Sequence, residues 1–293
     1  MGYNGASNVM RKTQLLKIST ILLIGIFCLS SCEKDGVFNP KKKISKIYVQ
    51  YDGDAKELAE TWTWDKDKLV QIDLKNGLFN IPIKFEYDGK QLSKINIGEN
   101  LYTKCIYKGA KLDKMETYLE NTLASVNTFE YKGGKISKIT ATIYPIMLIK
   151  SNETKMVNVL RFVLPQQFSG NMEQLSQNKN DEKGSETTLT SLLTWKGNNV
   201  EKMVSEENPH GTLLTRTVTY TYDNKKSPLY GLLYSSSVSS ENNVTKETIN
   251  TAGNIIEHIY SYTYEDNYPK EAKEITILGG EKYTTAYYYE YVK

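Results

Sequence analysis

The chain has 293 residues, with 37 Lys+Arg against 34 Asp+Glu, two His, three Cys and 22 Tyr. A formal charge of +3 is too small for a nucleic-acid binder, which carries a strongly basic face. Three cysteines cannot build a disulfide framework and two lone histidines are poor material for a metal site; at 24% charged residues the chain is not an integral helical membrane protein either.

In chain order, the first feature is a leader. Arg11, Lys12 and Lys17 form a positive region, and Ile18 to Leu29 is an apolar run. The run is shorter than the roughly 20 residues a spanning helix needs, and it has the flanks of a secretory signal. It ends in Leu29-Ser30-Ser31-Cys32, which resembles a bacterial lipobox, an aliphatic and two small residues before a cysteine. The resemblance implies cleavage of residues 1–31, diacylglycerol on the Cys32 thiol and acylation of the freed amine. Several acyl chains hold where one gives only marginal binding. Residues 32–43 then read as a lipidated tether. Its start, Glu33-Lys34-Asp35, looks like a tag for export to the outer surface. Fully extended, the tether reaches at most roughly 40 Å. Removing residues 1–31 removes three bases and no acid, so the remainder is formally neutral.

From Ile44 onward the chain repeats itself. Trp64, Tyr87, Tyr107, Tyr131 and Trp195 are each followed five residues later by an aliphatic (Leu69, Leu92, Leu112, Ile136, Val200). Eight residues after each aromatic stands another apolar residue: Ile72, Ile95, Met115, Ile139 and Met203. Phe85-Glu86-Tyr87 alternates as a half-buried strand does, and Asp88-Gly89 supplies the positive φ angles of a two-residue hairpin turn. The return strand, Leu92-Ser93-Lys94-Ile95, places its apolar residues three apart, which implies a bulge or apolar contacts on both faces. A second set of turn signals lies between the units. The spacing predicts an all-β fold: a long antiparallel meander of about 17 strands, curled into an open or closed barrel-like sheet. Residues 44–293 form one repeat-built domain, interrupted by an insertion at 145–187. Within that insertion Met156, Val159, Leu160 and Val163 predict a helix near 152–164, started by Asn152 and stopped by Pro165. After Tyr222 the repeat spacing loosens.

This repeated Tyr-Asp-Gly-Lys-x-Leu-x-Lys-Ile pattern on a lipobox-bearing chain resembles the Bacteroides-type lipoproteins with a porin-like fold known as domain-of-unknown-function family 4595. More remotely it is similar to the tyrosine-aspartate repeats of large secreted shell proteins. The resemblance covers about Ile44 to Lys293; it implies a curled many-stranded sheet and no assigned activity, so no functional residues carry over.

Catalytic motifs are missing: there is no G-x-S-x-G elbow, H-E-x-x-H, phosphate-binding glycine loop or C-x-x-C. His210 and His258 read as partly exposed turn and strand residues. Asp52/Asp54 and Asp65/Asp67 fall at turns, where Asp is favoured for its local backbone bonds. The regular aromatics belong to the sheet; the irregular ones, Trp62, Tyr102, Tyr118 and Tyr288, are the candidate ligand contacts. The expected protein is a lipid-anchored, non-enzymatic outer-membrane or cell-surface module recognising a glycan or a partner protein. Neither metal nor cofactor is expected. The alternatives are a structural component of the envelope and, less favoured, a hydrolase. A membrane-spanning pore is disfavoured, because the strands are short and a lipid anchor would be redundant.

Overall fold

The computed structural model describes residues 40–76, 79–144, 186–207, 214–232 and 240–293. The signal peptide expected at 1–31, Cys32, His210 and the helix expected over 152–164 lie outside them. Sixteen antiparallel strands follow one another around a closed barrel, each bonded to the next, and β1 completes the ring against β16. The first eight are β1 (Ile44–Tyr51), β2 (Glu57–Asp65), β3 (Lys68–Asn76), β4 (Phe79–Asp88), β5 (Gln91–Ile97), β6 (Leu101–Lys108), β7 (Lys111–Leu119) and β8 (Thr122–Lys132). The rest are β9 (Lys135–Ile143), β10 (Thr187–Lys196), β11 (Asn199–Glu207), β12 (Leu214–Lys226), β13 (Asn242–Thr251), β14 (Asn254–Glu265), β15 (Tyr268–Leu278) and β16 (Glu281–Tyr291). Among the described residues the expected about 17 strands are 16, and the choice between an open and a closed sheet resolves to closed. Closure leaves no free strand edge to mispair. The whole ring lies within one compact unit, residues 36–293.

The three-residue spacing in each return strand is a bulge. Glu86 pairs with Lys94 and Tyr87 with Leu92, which leaves Ser93 as the extra residue. Its hydroxyl donates to the Glu86 carbonyl at 3.1 Å. Val70, Asp113, Ser137 and Glu201 are extra in the same way at the other four regular hairpins. The bulge keeps Leu92, Ile95 and Ile97 on one face while Lys94 and Asn96 take the other.

A convex wall spreads its side chains apart, so the fully buried set must line the inside. That set is aliphatic over much of the ring: Ile72, Ile83, Ile95, Met115 and Ile143 are all buried. Leu232 and Leu229, from the β12–β13 connection, join the same cluster. The outer wall carries Lys84, Glu86, Lys94, Lys104, Glu116, Glu130 and Lys138. This is the reverse of a membrane barrel, which turns an apolar band outward and keeps its lumen polar.

The ring has two ends. Residues 40–43, the chain's last residues and the hairpin turns near Lys66, Gly89, Gly109, Gly133 and Gly197 share the near end. The connections at 52–56, 98–100, 120–121, 252–253 and 279–280 share the far end. The repeated aromatics close the near end from inside. Trp64 Nε1 donates to the Ile44 carbonyl at 2.7 Å, the Tyr87 hydroxyl to Leu69 at 2.8 Å and the Tyr131 hydroxyl to Leu112 at 2.9 Å. Trp195 (to Ile136), Tyr222 (to Val200) and Tyr291 (to Pro269) do the same at 2.6 Å. Trp64 reaches the start of β1 and the other five reach the carbonyl beside the neighbouring hairpin's bulge, while the Tyr107 hydroxyl makes no such bond; the aromatics thus plug the lumen and tie most consecutive hairpins together. That is the structural reason for the repeat.

Candidate functional site

Along β12–β16 polar and aromatic side chains join aliphatic ones such as Val218 and Ile249 at the inward positions. The pairing register places Tyr220, Glu247, His258, Thr276 and Tyr283 in one row across five adjacent strands. A second row runs Tyr260, Glu274, Thr285, and Tyr51 of β1. Because strand side chains alternate, every member of both rows faces the lumen.

Glu274 is the hub. His258 Nδ1 lies 2.7 Å from its Oε1, and the Tyr287 hydroxyl donates to Oε2 at 2.9 Å. The Thr276 hydroxyl donates to Oε1 at 3.3 Å and stands 3.0 Å from His258 Nδ1. Burial pushes the Glu274 carboxyl toward protonation, but the hydrogen bonds from His258, Tyr287 and Thr276 outweigh it and hold its pKa below the usual value. The bond to Glu274 holds the His258 pKa up against the opposing effect of burial. Glu247 differs: burial dominates and its pKa is raised, despite His258, Arg216 and a hydrogen bond from Tyr220. Two carboxylates on one wall are therefore driven in opposite directions by their surroundings.

The arc opens to solvent at the far end. Tyr283, inward by register, is 45% exposed and Leu278 50%, whereas the Glu274 and His258 side chains below them are 13% and 21% exposed. Deeper still lie Tyr260 and Tyr262, with ring centroids 6.5 Å apart and planes 19° from parallel, too far apart for face-to-face contact and so offset like tiles. Tyr262 donates to the Val244 carbonyl at 2.6 Å. The result is a recess with an aromatic rim, a carboxylate–histidine band and a tyrosine floor.

The aromatics singled out from sequence do not meet there. Trp62, one of the candidate ligand contacts, is 5% exposed: it faces inward opposite Ile72, with Nε1 donating to Glu60 at 2.9 Å. The regular strand alternation that places Trp64 inward places Trp62 inward too. Tyr102 and Tyr118 face outward as a cross-strand pair, centroids 5.0 Å apart and planes 12° from parallel. Lys94 Nζ lies 4.6 Å from the Tyr102 centroid and Lys104 Nζ 5.0 Å from that of Tyr118. Tyr288 pairs outward with Tyr48, and Lys56 Nζ is 4.3 Å from the Tyr288 ring. Cys105 faces inward, and burial pushes its thiol up to about 12, out of the reactive range.

His258 is the residue that sequence reasoning missed. Its partner Glu274 is sixteen residues away, beyond any local spacing rule. The usable signal was positional: counting alternate residues from Tyr260 places His258 on the inner face of β14, where a polar group requires an explanation.

Comparison with known proteins places the fold. No family model matches the chain, and no curated protein does. Among solved structures, a porin-like protein from Bacteroides vulgatus is similar at a TM-score of 0.53 and 10% identity, over 86% of this chain and 99% of that one. A porin-like protein from Bacteroides uniformis is similar at 0.51 and 12% identity, over 89% and 100%. The likeness establishes a porin-like fold. The polarity of the two walls separates that shape from the usual lipid-embedded arrangement.

Proposed function

We propose that the chain is a non-enzymatic recognition module of the outer membrane or cell surface, a water-soluble barrel anchored by lipid on Cys32, that takes a glycan into the recess of its inner wall. The arc of Glu247, His258, Glu274 and tyrosines, which is exposed at its Tyr283–Leu278 rim and largely covered at the carboxylates, carries the reading. Carboxylates and an imidazole pair with sugar hydroxyls, and tyrosine adds an apolar body with a polar tip. The outward charge of the wall supports the anchor, because a barrel that cannot enter the bilayer needs another attachment. The lipobox and the resemblance to the porin-like lipoproteins of family 4595 support cleavage before Cys32 and an outer-membrane destination.

A second reading rests on Tyr102 and Tyr118, with Tyr288 elsewhere on the outer wall. Flat aromatic pairs flanked by lysines suit a partner protein of the envelope or a glycan held from outside. One experiment separates the two. Residues 36–293 are expected to retain glycans on an array. Glu247→Gln and Glu274→Gln should abolish retention, and Tyr102→Ala with Tyr118→Ala should leave it intact. Loss only in the tyrosine variant moves the site to the outer wall. No retention by the unmodified domain refutes glycan recognition.

A further inference from the structure

The formal neutrality of the chain after Cys32 hides a strong polarity. Lys66, Lys90, Lys108, Lys132 and Lys196 stand at five successive near-end hairpins, all exposed, and Lys41, Lys42 and Lys43 enter at the same end. Of the near-end acids, Asp67 is paired with Lys43 at 2.8 Å, Asp266 with Lys42 at 3.1 Å, and Glu241 with Lys226. With Lys108 also paired, to Asp113 at 3.0 Å, Asp65, Asp88 and Glu265 are left facing a larger set of lysines without ion pairs: Lys41, Lys66, Lys90, Lys111, Lys132 and Lys196. At the far end the signs reverse. Asp52, Asp54, Glu99, Glu120 and Glu186 crowd the turns, where Lys56 is the single lysine among the described turn residues; at the start of β16 Glu281 stands beside Lys282.

The repeat creates this polarity. The residue after the turn and the residue before it are lysine in most units, and the meander sends every such turn to one end. Lys68 and Lys111 lie over the anchor rings of Tyr87 and Tyr131 at 5.2 and 5.1 Å, which fixes their direction. The tether leaves from that same end, a dozen residues from Cys32.

We propose that the lysine-bearing near end rests on the anionic headgroups of the membrane that holds the lipid, so that the barrel stands upright with its recess turned away from the surface. This rests on the anchor reading of Cys32 and adds an orientation to it. A tether alone would let the barrel tumble and present its mouth to the bilayer. Lysines near an anionic surface act additively over about a Debye length, so a whole ring of them selects one face. The acidic far end is repelled by the same surface, which reinforces the choice.

The test uses residues 36–293 without lipid, sedimented with vesicles of neutral phosphatidylcholine alone or with about a third anionic phosphatidylglycerol. Binding is expected only to the anionic vesicles, falling steeply as salt rises to about 0.5 M. Replacing Lys66, Lys90, Lys132 and Lys196 by Gln should weaken it at least about tenfold. Replacing four exposed wall lysines, Lys84, Lys104, Lys202 and Lys273, should change it far less. Equal loss in both variants, or no binding to anionic vesicles, overturns the proposal. Failure of the anchor reading shows elsewhere: Cys32→Ser in the full chain would still incorporate labelled fatty acid, whatever the vesicles report.

Discussion

On β3–β9 the inward positions include Ile72, Ile83, Ile95, Met115 and Ile139, interrupted by the neutral Thr103, Thr117 and Asn127; on β12–β15 the ionisable Glu247, His258 and Glu274 stand with Tyr220 among aliphatics such as Val218 and Ile249. Both arcs have the same ladder, and both end in aromatics at the near end. The hydrogen-bonded frame therefore does not depend on what the lumen contains. Turns, bulges and anchors specify the ring, which frees part of the inner wall for polar groups. Those groups are poor stabilisers, because desolvating ionised side chains offsets most of what their pairing returns. An aliphatic wall would hold better, so the polar arc is where the molecule departs from what folding alone would select.

The comparison breaks most visibly under truncation. Ile95→Ala should cost about 2–5 kcal/mol in a denaturant titration, because Ile95 is fully buried among aliphatics and the cavity cannot collapse. Glu247→Gln should run the other way. Its raised pKa means that burial penalises the charged form, so ionisation costs stability above its ordinary 4.5 and the amide removes that cost. The variant should match or exceed the parent at neutral pH. A loss like that of Ile95→Ala would show that the Glu247 charge is part of the framework.

Acidity sharpens the contrast further. The raised pKa of His258 gives stability that is fully present below about 6.5 and lost as pH rises through the folded value. The lowered pKa of Glu274 gives stability present above about 4.5 and lost as pH falls through its folded value. The His258–Glu274 bond therefore contributes most between these limits. His258→Gln should cost about 1–2 kcal/mol near pH 5.5 and progressively less on either side, read as the difference in midpoint between the two proteins. The aliphatic arc has no such window, and a difference independent of pH would mean that the pair does not titrate as a unit.

How far the sequence could be read follows the same division. Leu69/Ile72, Leu92/Ile95 and Leu112/Met115 announced the hairpins, and even their odd spacing pointed to the bulge, because aliphatic pairs around a Gly turn leave a periodic trace. The trace fades after Tyr222 for a physical reason: Tyr and Glu fill inward positions there, and neither marks an inner face by hydropathy. The site was hidden in the stretch where the pattern weakened. Closure was not legible either, since Ile44–Tyr51 and Glu281–Tyr291 reveal nothing locally of their pairing across the whole chain. Trp62 is buried although its position in the repeat is irregular, because plain alternation with Trp64 governs which way it faces.

The smallest expected effect lies in the anchors themselves. The Tyr131 hydroxyl donates to the Leu112 carbonyl, while the Tyr107 hydroxyl is buried with no hydrogen-bond partner. Burial moves Tyr107 well above its ordinary pKa, so it stays neutral and its oxygen remains a desolvated polar atom. Tyr131→Phe strands a carbonyl and should cost about 1 kcal/mol. Tyr107→Phe removes an unsatisfied group and should be neutral or stabilising by up to about 1 kcal/mol. Two identical substitutions at equivalent places in the repeat should thus differ in sign. If both cost the same in urea titrations, Tyr107 also donates to a carbonyl of the wall, and the ring of anchors is uniform rather than interrupted at this strand.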